Sequence, residues 1–169
     1  MTTFDPEATR AILQNHVEAE LAGDLDATMA TMTDNPHLIN LAVPVGGEGR
    51  EGVLAFYRER LVGMFFPPDV EMSPISNTVC ANRIVDELVV SFTHTMELKW
   101  MLPGVAPTGK KVVVAIVVIA GVEDGKISYE HIYWDQASVL VQIGLLAREG
   151  LPVVGAENAS RLRAMGPNP

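Results

Sequence analysis

The spacing of apolar residues changes from a helical to a strand period near residue 75. Before that point, three segments carry apolar side chains every three or four positions, which is typical of helices packed on one side. The first begins at Asp5-Pro6-Glu7, where a carboxylate cap precedes a proline at a position that needs no N–H. Its apolar stripe consists of Ile12, Leu13, Val17 and Leu21.

Two shorter helical patterns complete this first part of the chain. Gly23 stops the first helix, and a cap at Asp24 starts the second, whose apolar stripe consists of Leu25, Met29 and Met32. The segment from His37 to Val43 predicts a short strand, and the glycine-rich residues 46–49 predict a flexible loop. The third helix follows this loop, with apolar positions at Val53, Phe56, Tyr57, Leu61 and Met64.

The second part of the chain predicts an antiparallel meander. Apolar and polar residues alternate between Val85 and Trp100, whereas Val112 to Ala120 is apolar at every position, as expected of a strand covered on both faces. Asp124-Gly125 is a hairpin signal, and Ile127 to Asp135 predicts the returning strand. A short terminal helix is predicted from Val139 to Leu146.

Together these elements predict an α+β fold in which three N-terminal helices pack on one face of a curved antiparallel sheet. Such an arrangement leaves a pocket between its two layers. The 169 residues are enough for one domain, which we assign to residues 1–149. Residues 150–169 are rich in glycine, proline and asparagine and predict a tail that is either wrapped on the surface or loose.

Composition and charge exclude several classes of function. A net charge of −9 argues against binding nucleic acid or an anionic membrane. The longest apolar run, Val112 to Val122, is shorter than a membrane span, and the first residues lack the pattern of a secretory signal. A single cysteine, Cys80, excludes a disulfide framework. We therefore expect a cytoplasmic protein.

His94 interrupts the apolar face of its predicted strand, between Phe92 and Met96. A buried imidazole costs free energy unless its nitrogens find hydrogen-bonding partners. One interpretation is a core histidine bonded to a neighbouring side chain or water, and the other is a polar group that lines a cavity. The sequence leaves both open.

The last predicted strand carries a second group of candidate residues. If the strand is regular, one face presents Tyr129, His131, Tyr133 and Asp135, and the opposite face presents Ser128, Glu130, Ile132 and Trp134. The first set could act as an acid–base group through a bound ligand or water. A β-bulge would exchange the two sets, and a solvated edge strand would give them no role.

The remaining polar and aromatic candidates are weaker. Tyr57, Trp100 and Asn40 could each project a polar tip into a pocket, whereas His16 is expected at the edge of an apolar stripe and His37 in solvent. A metal site built from His94, His131 and a carboxylate lacks the spacing of known ligand motifs. The sequence therefore predicts no metal and no cofactor.

The motif Ile127-Ser128-Tyr129-Glu130-His131-Ile132-Tyr133-Trp134-Asp135-Gln136, followed by Val139 to Leu146, resembles the SnoaL-like polyketide cyclases of the nuclear transport factor 2-like superfamily. The resemblance implies a cone-shaped α+β barrel with an apolar pocket, usually paired into a homodimer through the convex face of the sheet. These cyclases use an aspartate late in the last strand as the acid or base of an aldol closure. Their usual pattern is His-Trp-Asp, whereas Asp135 lies four positions after His131 here.

The resemblance and the residues together predict a cofactor-independent pocket enzyme that acts by acid–base catalysis on an apolar carbonyl, lactone or epoxide compound. Asp135 would be the base, and His131 and His94 would donate or relay protons. The predicted ligand contacts are Tyr133, Tyr57, Trp100, Asn40 and Trp134. The alternative is a non-catalytic ligand-binding or dimerisation module on the same scaffold.

Overall fold

The computed structural model describes residues 4–61, 63 and 65–166. In chain order the elements are α1 (Pro6–Ala22), α2 (Leu25–Ala30), β1 (Met32–Asn40), β2 (Val45–Glu48), α3 (Gly49–Phe56), a π-helical turn (Tyr57–Leu61), β3 (Glu71–Cys80), β4 (Arg83–Thr93), β5 (Lys111–Glu123), β6 (Lys126–Trp134), α4 (Gln136–Ile143) and α5 (Glu157–Met165). The predicted α+β architecture, with helices on a curved, unclosed sheet, is confirmed. None of the described helices is long and apolar enough to cross a membrane.

The six strands form one sheet in the order β2-β1-β6-β5-β4-β3. All neighbouring strands are antiparallel except β1 and β6, which run parallel. This pair is an exception to the predicted antiparallel sheet. Strand β6 is antiparallel to β5 on one side and parallel to β1 on the other. The last strand therefore lies beside the first.

Helix α1 begins and ends as its sequence predicts, but it buries a different face. The Asp5 side chain accepts hydrogen bonds from the backbone N–H of Glu7 and Ala8, and Gly23 ends the helix with a φ of 70°. The predicted stripe residue Leu21 is 52% exposed, whereas Glu20 is buried beside it. The buried face of α1 is thus rotated from the predicted apolar stripe, and it brings the polar side chains of His16 and Glu20 toward the sheet.

Several predicted element boundaries are wrong. Met32, predicted on the second helix, begins β1, and the strand predicted from His37 to Val43 extends instead from Met32 to Asn40. Residues 46–49 do not form a free loop, because Val45–Glu48 pair with β1 and the missing side chain of Gly47 allows the backbone of Gly52 to approach. The third helix changes to a π-helical turn that ends at Leu61, and the predicted position Met64 lies outside the described residues. Strand β4 ends at Thr93 and not at Trp100.

At this end of β4, Asp69 accepts a hydrogen bond from the backbone N–H of Thr93, at 3.0 Å. The connection that follows carries Leu98, Trp100, Met101 and Leu102 into the core. Their burial, not a continued strand, explains the apolar residues beyond Thr93.

Helix α5 packs on the outer face of the sheet, away from α1 and α3. Its Ala159 contacts an apolar cluster formed by Ile75, Val89 and Val113 on three neighbouring strands. Residues 157–165, within the segment predicted as a tail, thus have a fixed place in the fold. The inner face of the same strands packs against α1 and α3 and forms the main core.

Candidate functional site

A cavity of about 240 Å³ lies between α1, α3 and the inner face of the sheet. Most of its wall is apolar, including Phe56, Phe66, Val90, Trp100, Val118 and Ile132. The wall also contains three carboxylates, Glu20, Asp86 and Glu130. Carboxylates in an apolar enclosure are costly to bury unless they have partners, so their surroundings indicate what the cavity can do.

Two of these carboxylates belong to a buried polar cluster of four side chains: His16, Glu20, Tyr57 and Glu130. The Nε2 atom of His16 lies 3.0 Å from the hydroxyl of Tyr57, 3.2 Å from Glu20 Oε1 and 3.3 Å from Glu130 Oε2. The Tyr57 hydroxyl donates a hydrogen bond to Glu130 Oε2 at 3.0 Å. All four residues are at most 6% exposed. One imidazole therefore joins two carboxyl groups from distant parts of the chain.

Thr31 fixes the orientation of the His16 ring. Its hydroxyl donates a hydrogen bond to the Thr28 carbonyl at 2.6 Å, so its oxygen is free to accept one from His16 Nδ1, also at 2.6 Å. With Nδ1 bound to a proton on that side, Nε2 must face the two carboxyl groups. A threonine at the end of α2 thus sets the proton arrangement of a group on α1.

The cluster separates the pKa values of its members. Burial alone would lower the pKa of His16, but the charges and hydrogen bonds of Glu130 and Glu20 outweigh it and raise that pKa from 6.5 to about 10. Burial and the charge of Glu130 raise the pKa of Glu20. Burial acts in the same direction on Glu130, but the His16 charge and the hydrogen bonds from His16 and Tyr57 prevail and lower its pKa. The arrangement favours an imidazolium, an ionised Glu130 and a Glu20 that readily holds a proton.

The cluster also contains a possible metal-ligand set. His16, Glu20 and Glu130 each offer one donor atom, and these atoms lie within 4.8 Å of one another. A nitrogen and two carboxylate oxygens suit several divalent transition metals. A metal would have to displace the proton on His16 Nε2 and its contact with Tyr57. Because the hydrogen bonds already satisfy these groups, the cluster is complete without a metal.

The structure does not bring the three sequence-predicted catalytic residues together. Asp135 is exposed and caps α4, where its Oδ1 accepts a hydrogen bond from the backbone N–H of Ser138 at 3.0 Å. His131 lies on the outer face of β6, where its Nε2 is 3.0 Å from Nε2 of His37. His37 is therefore paired and half-buried, and the expectation of a solvated side chain is wrong.

His94 is buried at the end of β4, but it does not line the cavity. Its Nδ1 lies 3.1 Å from the hydroxyl of Thr108, and its Nε2 has no hydrogen-bonding partner among the described residues. Burial lowers the pKa of this imidazole, which favours its neutral form. The placement matches the interpretation of His94 as a core histidine bonded to a neighbour. The catalytic roles of Asp135, His131 and His94 remain predictions from the sequence.

Of the residues predicted to contact a ligand, only Trp100 belongs to the described lining of the cavity. Trp100 lines the cavity, and its Nε1 donates a hydrogen bond to the Phe65 carbonyl at 2.7 Å. Asn40 braces this wall by donating to the Trp100 carbonyl and by accepting from Trp134 Nε1, both at 2.9 Å. Tyr57 belongs to the polar cluster, whereas Tyr133 is 42% exposed on the outer face.

Sequence reasoning missed His16, Glu20 and Glu130 as a group. A signal was present, because His16 and Glu20 are one helical turn apart and Glu20 lies on the same side as Leu13 and Val17. Glu130 stands on the face of β6 that carries Ile132, one of the two faces that the pattern left open. The interpretation of His16 as a residue at the edge of the stripe is wrong, since it is fully buried.

Comparison with known proteins confirms the resemblance. The SnoaL-like domain family matches residues 13–130. No functionally curated protein shows significant sequence similarity to the chain.

Solved structures share the fold at low identity. A protein from Jannaschia sp. CCS1 assigned as a SnoaL-like polyketide cyclase is 20% identical, with a TM-score of 0.67 over 87% of this chain and 100% of that one. IdmH from Streptomyces antibioticus, assigned as a polyketide cyclase, is 22% identical, with a TM-score of 0.60 over 80% and 98%. AclR from Streptomyces galilaeus, assigned as a hydroxylase, is 20% identical, with a TM-score of 0.62 over 85% and 100%. Because these assignments differ, the fold alone does not select a reaction.

Proposed function

The chain belongs to the SnoaL-like domain family, and we propose that it catalyses proton transfer on a small apolar carbonyl compound bound in its cavity. One observation carries the proposal: two buried carboxyl groups whose pKa values are shifted in opposite directions line the same apolar cavity. Environments that separate the pKa values of two nearby groups are the usual means of creating an acid and a base at one pH.

The roles follow from these shifts. Glu130 is ionised and is the base, whereas Glu20 holds a proton and is the acid. Their donor oxygens lie within 4.8 Å of each other. The carbonyl oxygen of a ligand and a hydrogen on the adjacent carbon are closer together than that, so a single bound ligand can reach both carboxyl groups.

The proposed step is an enolisation. Glu130 removes a proton from the carbon next to the carbonyl, the electron pair of that C–H bond forms the C=C bond, and Glu20 delivers its proton to the carbonyl oxygen. The enol of a β,γ-unsaturated ketone can take back a proton at its γ carbon, which moves the double bond and is an isomerisation. It can also attack a second carbonyl of the same ligand, which closes a ring in an aldol reaction. The assignment of Jannaschia and Streptomyces relatives as polyketide cyclases is consistent with this second outcome.

His16 and Tyr57 act through the two carboxyl groups and are positioning residues. The imidazolium keeps Glu130 ionised in an apolar setting, and the Tyr57 hydroxyl aligns one oxygen of the same group. Burial and the neighbouring carboxylates raise the pKa of Tyr57 well above its usual value, so the phenol stays a hydrogen-bond donor. Thr31 holds the ring that carries the charge.

The cavity limits the size and character of the ligand. At about 240 Å³ it is smaller than the ~300–1,000 Å³ of sites for drug-sized molecules. Its aromatic and aliphatic wall favours a ligand of one or two rings and excludes bulk water from the acid and the base.

Hydrogen–deuterium exchange of 1-tetralone, a two-ring ketone, tests the proposal directly. In D₂O the wild-type protein should accelerate the loss of the C2–H signal in proton NMR, and Glu130→Gln and Glu20→Gln should each reduce this rate by roughly 10²–10⁴-fold. Glu87→Gln is the matched control, since it makes the same substitution at a carboxyl group that is bonded to Ser76 and does not line the cavity.

Two results would contradict the proposal. Folded Glu130→Gln and Glu20→Gln proteins that exchange the ketone at the wild-type rate would remove both groups from catalysis. A wild-type protein that binds 1-tetralone but does not exchange its hydrogens would favour the non-catalytic binding module. Thermal denaturation of each variant separates loss of folding from loss of chemistry.

We also infer a homodimer that forms through the outer face of the sheet. Ile39, Leu41 and Tyr133 are 39%, 50% and 42% exposed on β1, just after it and on β6, whereas α5 covers the opposite side of this face. Exposed apolar residues on neighbouring strands are typical of an interface. Sedimentation analysis should give twice the chain mass for the wild type and a lower mass for Ile39→Lys. An unchanged mass in that variant would contradict this interface.

A further inference from the structure

We propose that Asp86 forms a second polar subsite of the cavity and binds the protonated amine of a ligand whose apolar body lies against the cavity wall. The inference rests on the proposed function only in taking this cavity as the ligand site. It adds a charge requirement that the acid–base pair does not impose.

Asp86 lies on the inner face of β4, some distance from the polar cluster. In the sheet it pairs with Val118 of β5, which in turn pairs with Ile132 of β6, whereas Glu130 is aligned through Ala120 with Ile84 of β4. Two strand spacings, about 10 Å, separate the backbones of β4 and β6. A ligand of one or two rings can therefore contact Glu130 at one end and Asp86 at the other.

The Asp86 carboxylate has no cationic partner. Its one side-chain hydrogen bond comes from Asn77 Nδ2 at 3.4 Å, and no Lys, Arg or His among the described residues forms an ion pair with it. Arg10 lies near the same opening, but its guanidinium is bonded to Glu7 at 2.6 Å and to the Asn77 side-chain oxygen at 2.9 Å. Asp86 is half-buried, and this burial raises its pKa.

The rest of the lining does not offset the charge of Asp86. The cavity wall contains three acidic side chains and, among the described residues, no lysine or arginine. The imidazolium of the polar cluster, His16, is already shared by Glu20 and Glu130. An anionic ligand would meet repulsion at Asp86, whereas an ammonium group would supply the positive partner that this carboxylate lacks.

Three probes of the same shape test the charge requirement: 2-(aminomethyl)naphthalene, 2-(hydroxymethyl)naphthalene and 2-naphthoate. Calorimetric titration of the wild-type protein near pH 8 should give the tightest binding for the amine, by at least about tenfold over the alcohol, and the weakest for the carboxylate. Equal affinity for the amine and the alcohol would overturn the proposal.

Two variants of adjacent residues locate the effect. Asp86→Asn should remove the advantage of the amine over the alcohol, because the amide cannot pair with a positive charge. Glu87→Gln makes the same change in net charge, but Glu87 does not line the cavity, so the preference for the amine should persist. If Glu20→Gln removes the preference and Asp86→Asn keeps it, the amine binds at the polar cluster and Asp86 is not the subsite.

The two proposals can fail separately. Preference for the amine that depends on Asp86, without exchange of 1-tetralone by the wild type, would leave the subsite standing and contradict the acid–base function. Exchange of 1-tetralone without any preference for the amine would support the acid–base function and contradict the Asp86 subsite.

Discussion

Adjacent residues of β6 belong to two clusters in which the pKa of a histidine shifts in opposite directions. Glu130 is part of the buried polar cluster, and His131 is part of an outer cluster with His37 and Tyr129. Glu130 faces the cavity, where carboxyl groups surround His16 and raise its pKa to about 10. His131 faces outward, where burial, the neighbouring His37 and the positive charge of Arg83 lower its pKa. Burial opposes the charge of both imidazoles, so the sign of the neighbouring groups decides which one is protonated.

The two clusters are also held together by different interactions. Charge and hydrogen bonds hold the inner one, whereas rings stack in the outer one: Tyr129 lies 5.2 Å from His37 and 4.7 Å from His131 between ring centroids. A stacked group of rings does not need to be enclosed and can lie at a surface. An acid–base pair of separated pKa values needs the enclosure that only the inner face provides.

The largest expected effect is on catalysis, and it shows whether the inner face of β6 or the residues outside the cavity carry the reaction. Glu130→Gln should slow 1-tetralone exchange by roughly 10²–10⁴-fold, because it removes the base. The sequence-predicted roles of Asp135 and His131 require instead that Asp135→Asn and His131→Gln lose the activity. NMR exchange rates for the three variants decide between the faces. Loss in the latter two with retention in Glu130→Gln would place the chemistry outside the cavity.

The second effect concerns stability. His16→Gln leaves two buried carboxyl groups without their cation, and breaking a buried ion pair in this way costs about 3–5 kcal/mol. His37→Gln on the outer face should cost less than about 1 kcal/mol, since this half-buried ring has only a neutral partner. Urea denaturation near pH 6 measures both. Equal losses would show that the inner cluster contributes no more than the outer one.

The pH dependence of stability should differ between the clusters in direction. His16 has a folded pKa of about 10 against 6.5, so its contribution is fully present below pH 6.5 and is lost as the pH rises toward 10. His131 has a lowered folded pKa, so its contribution is present above 6.5 and is lost as the pH falls through the folded value. Thermal unfolding across pH should therefore lose its alkaline slope in His16→Gln and part of its acid slope in His131→Gln. An unchanged alkaline slope in His16→Gln would contradict the assigned charge.

The smallest effect tests the structural role of Asp135. Its carboxylate caps α4, so Asp135→Ala should lower the free energy of unfolding by about 1 kcal/mol, whereas Asp135→Asn, which keeps a capping oxygen, should cost only a few tenths. Urea denaturation of both variants gives the comparison. A larger loss of stability in the asparagine variant would indicate that Asp135 has a role beyond capping α4.

The sequence predicted the layers of the fold well because they depend on local signals. The cap at Asp5, the stop at Gly23 and the turn at Asp124-Gly125 are decided by neighbouring residues, and each lies where predicted. The parallel pairing of β1 with β6 and the place of α5 depend on which strand edge and sheet face remain free, and no local pattern encodes that.

The candidate site was only partly predictable for the same reason. Trp100 was identified from its polar tip, and Tyr57 from the donor that it must satisfy when buried. Glu20 and Glu130 each look like a surface residue until the partner is known, since a lone glutamate is rarely buried. What makes them a site is His16 between them, and that contact joins α1 to the last strand.

His16 and Glu130 are separated by 114 positions, and the strand that carries Glu130 is flanked by β1 and β5. During synthesis, α1 leaves the ribosome long before β6 exists, so His16 then lacks its counter-ion. Contacts of such long sequence separation form late and slowly, because the loop between them must first be ordered. Insertion of β6 therefore completes the sheet and brings Glu130 to His16 in one event, so partly folded chains lack this buried ion pair.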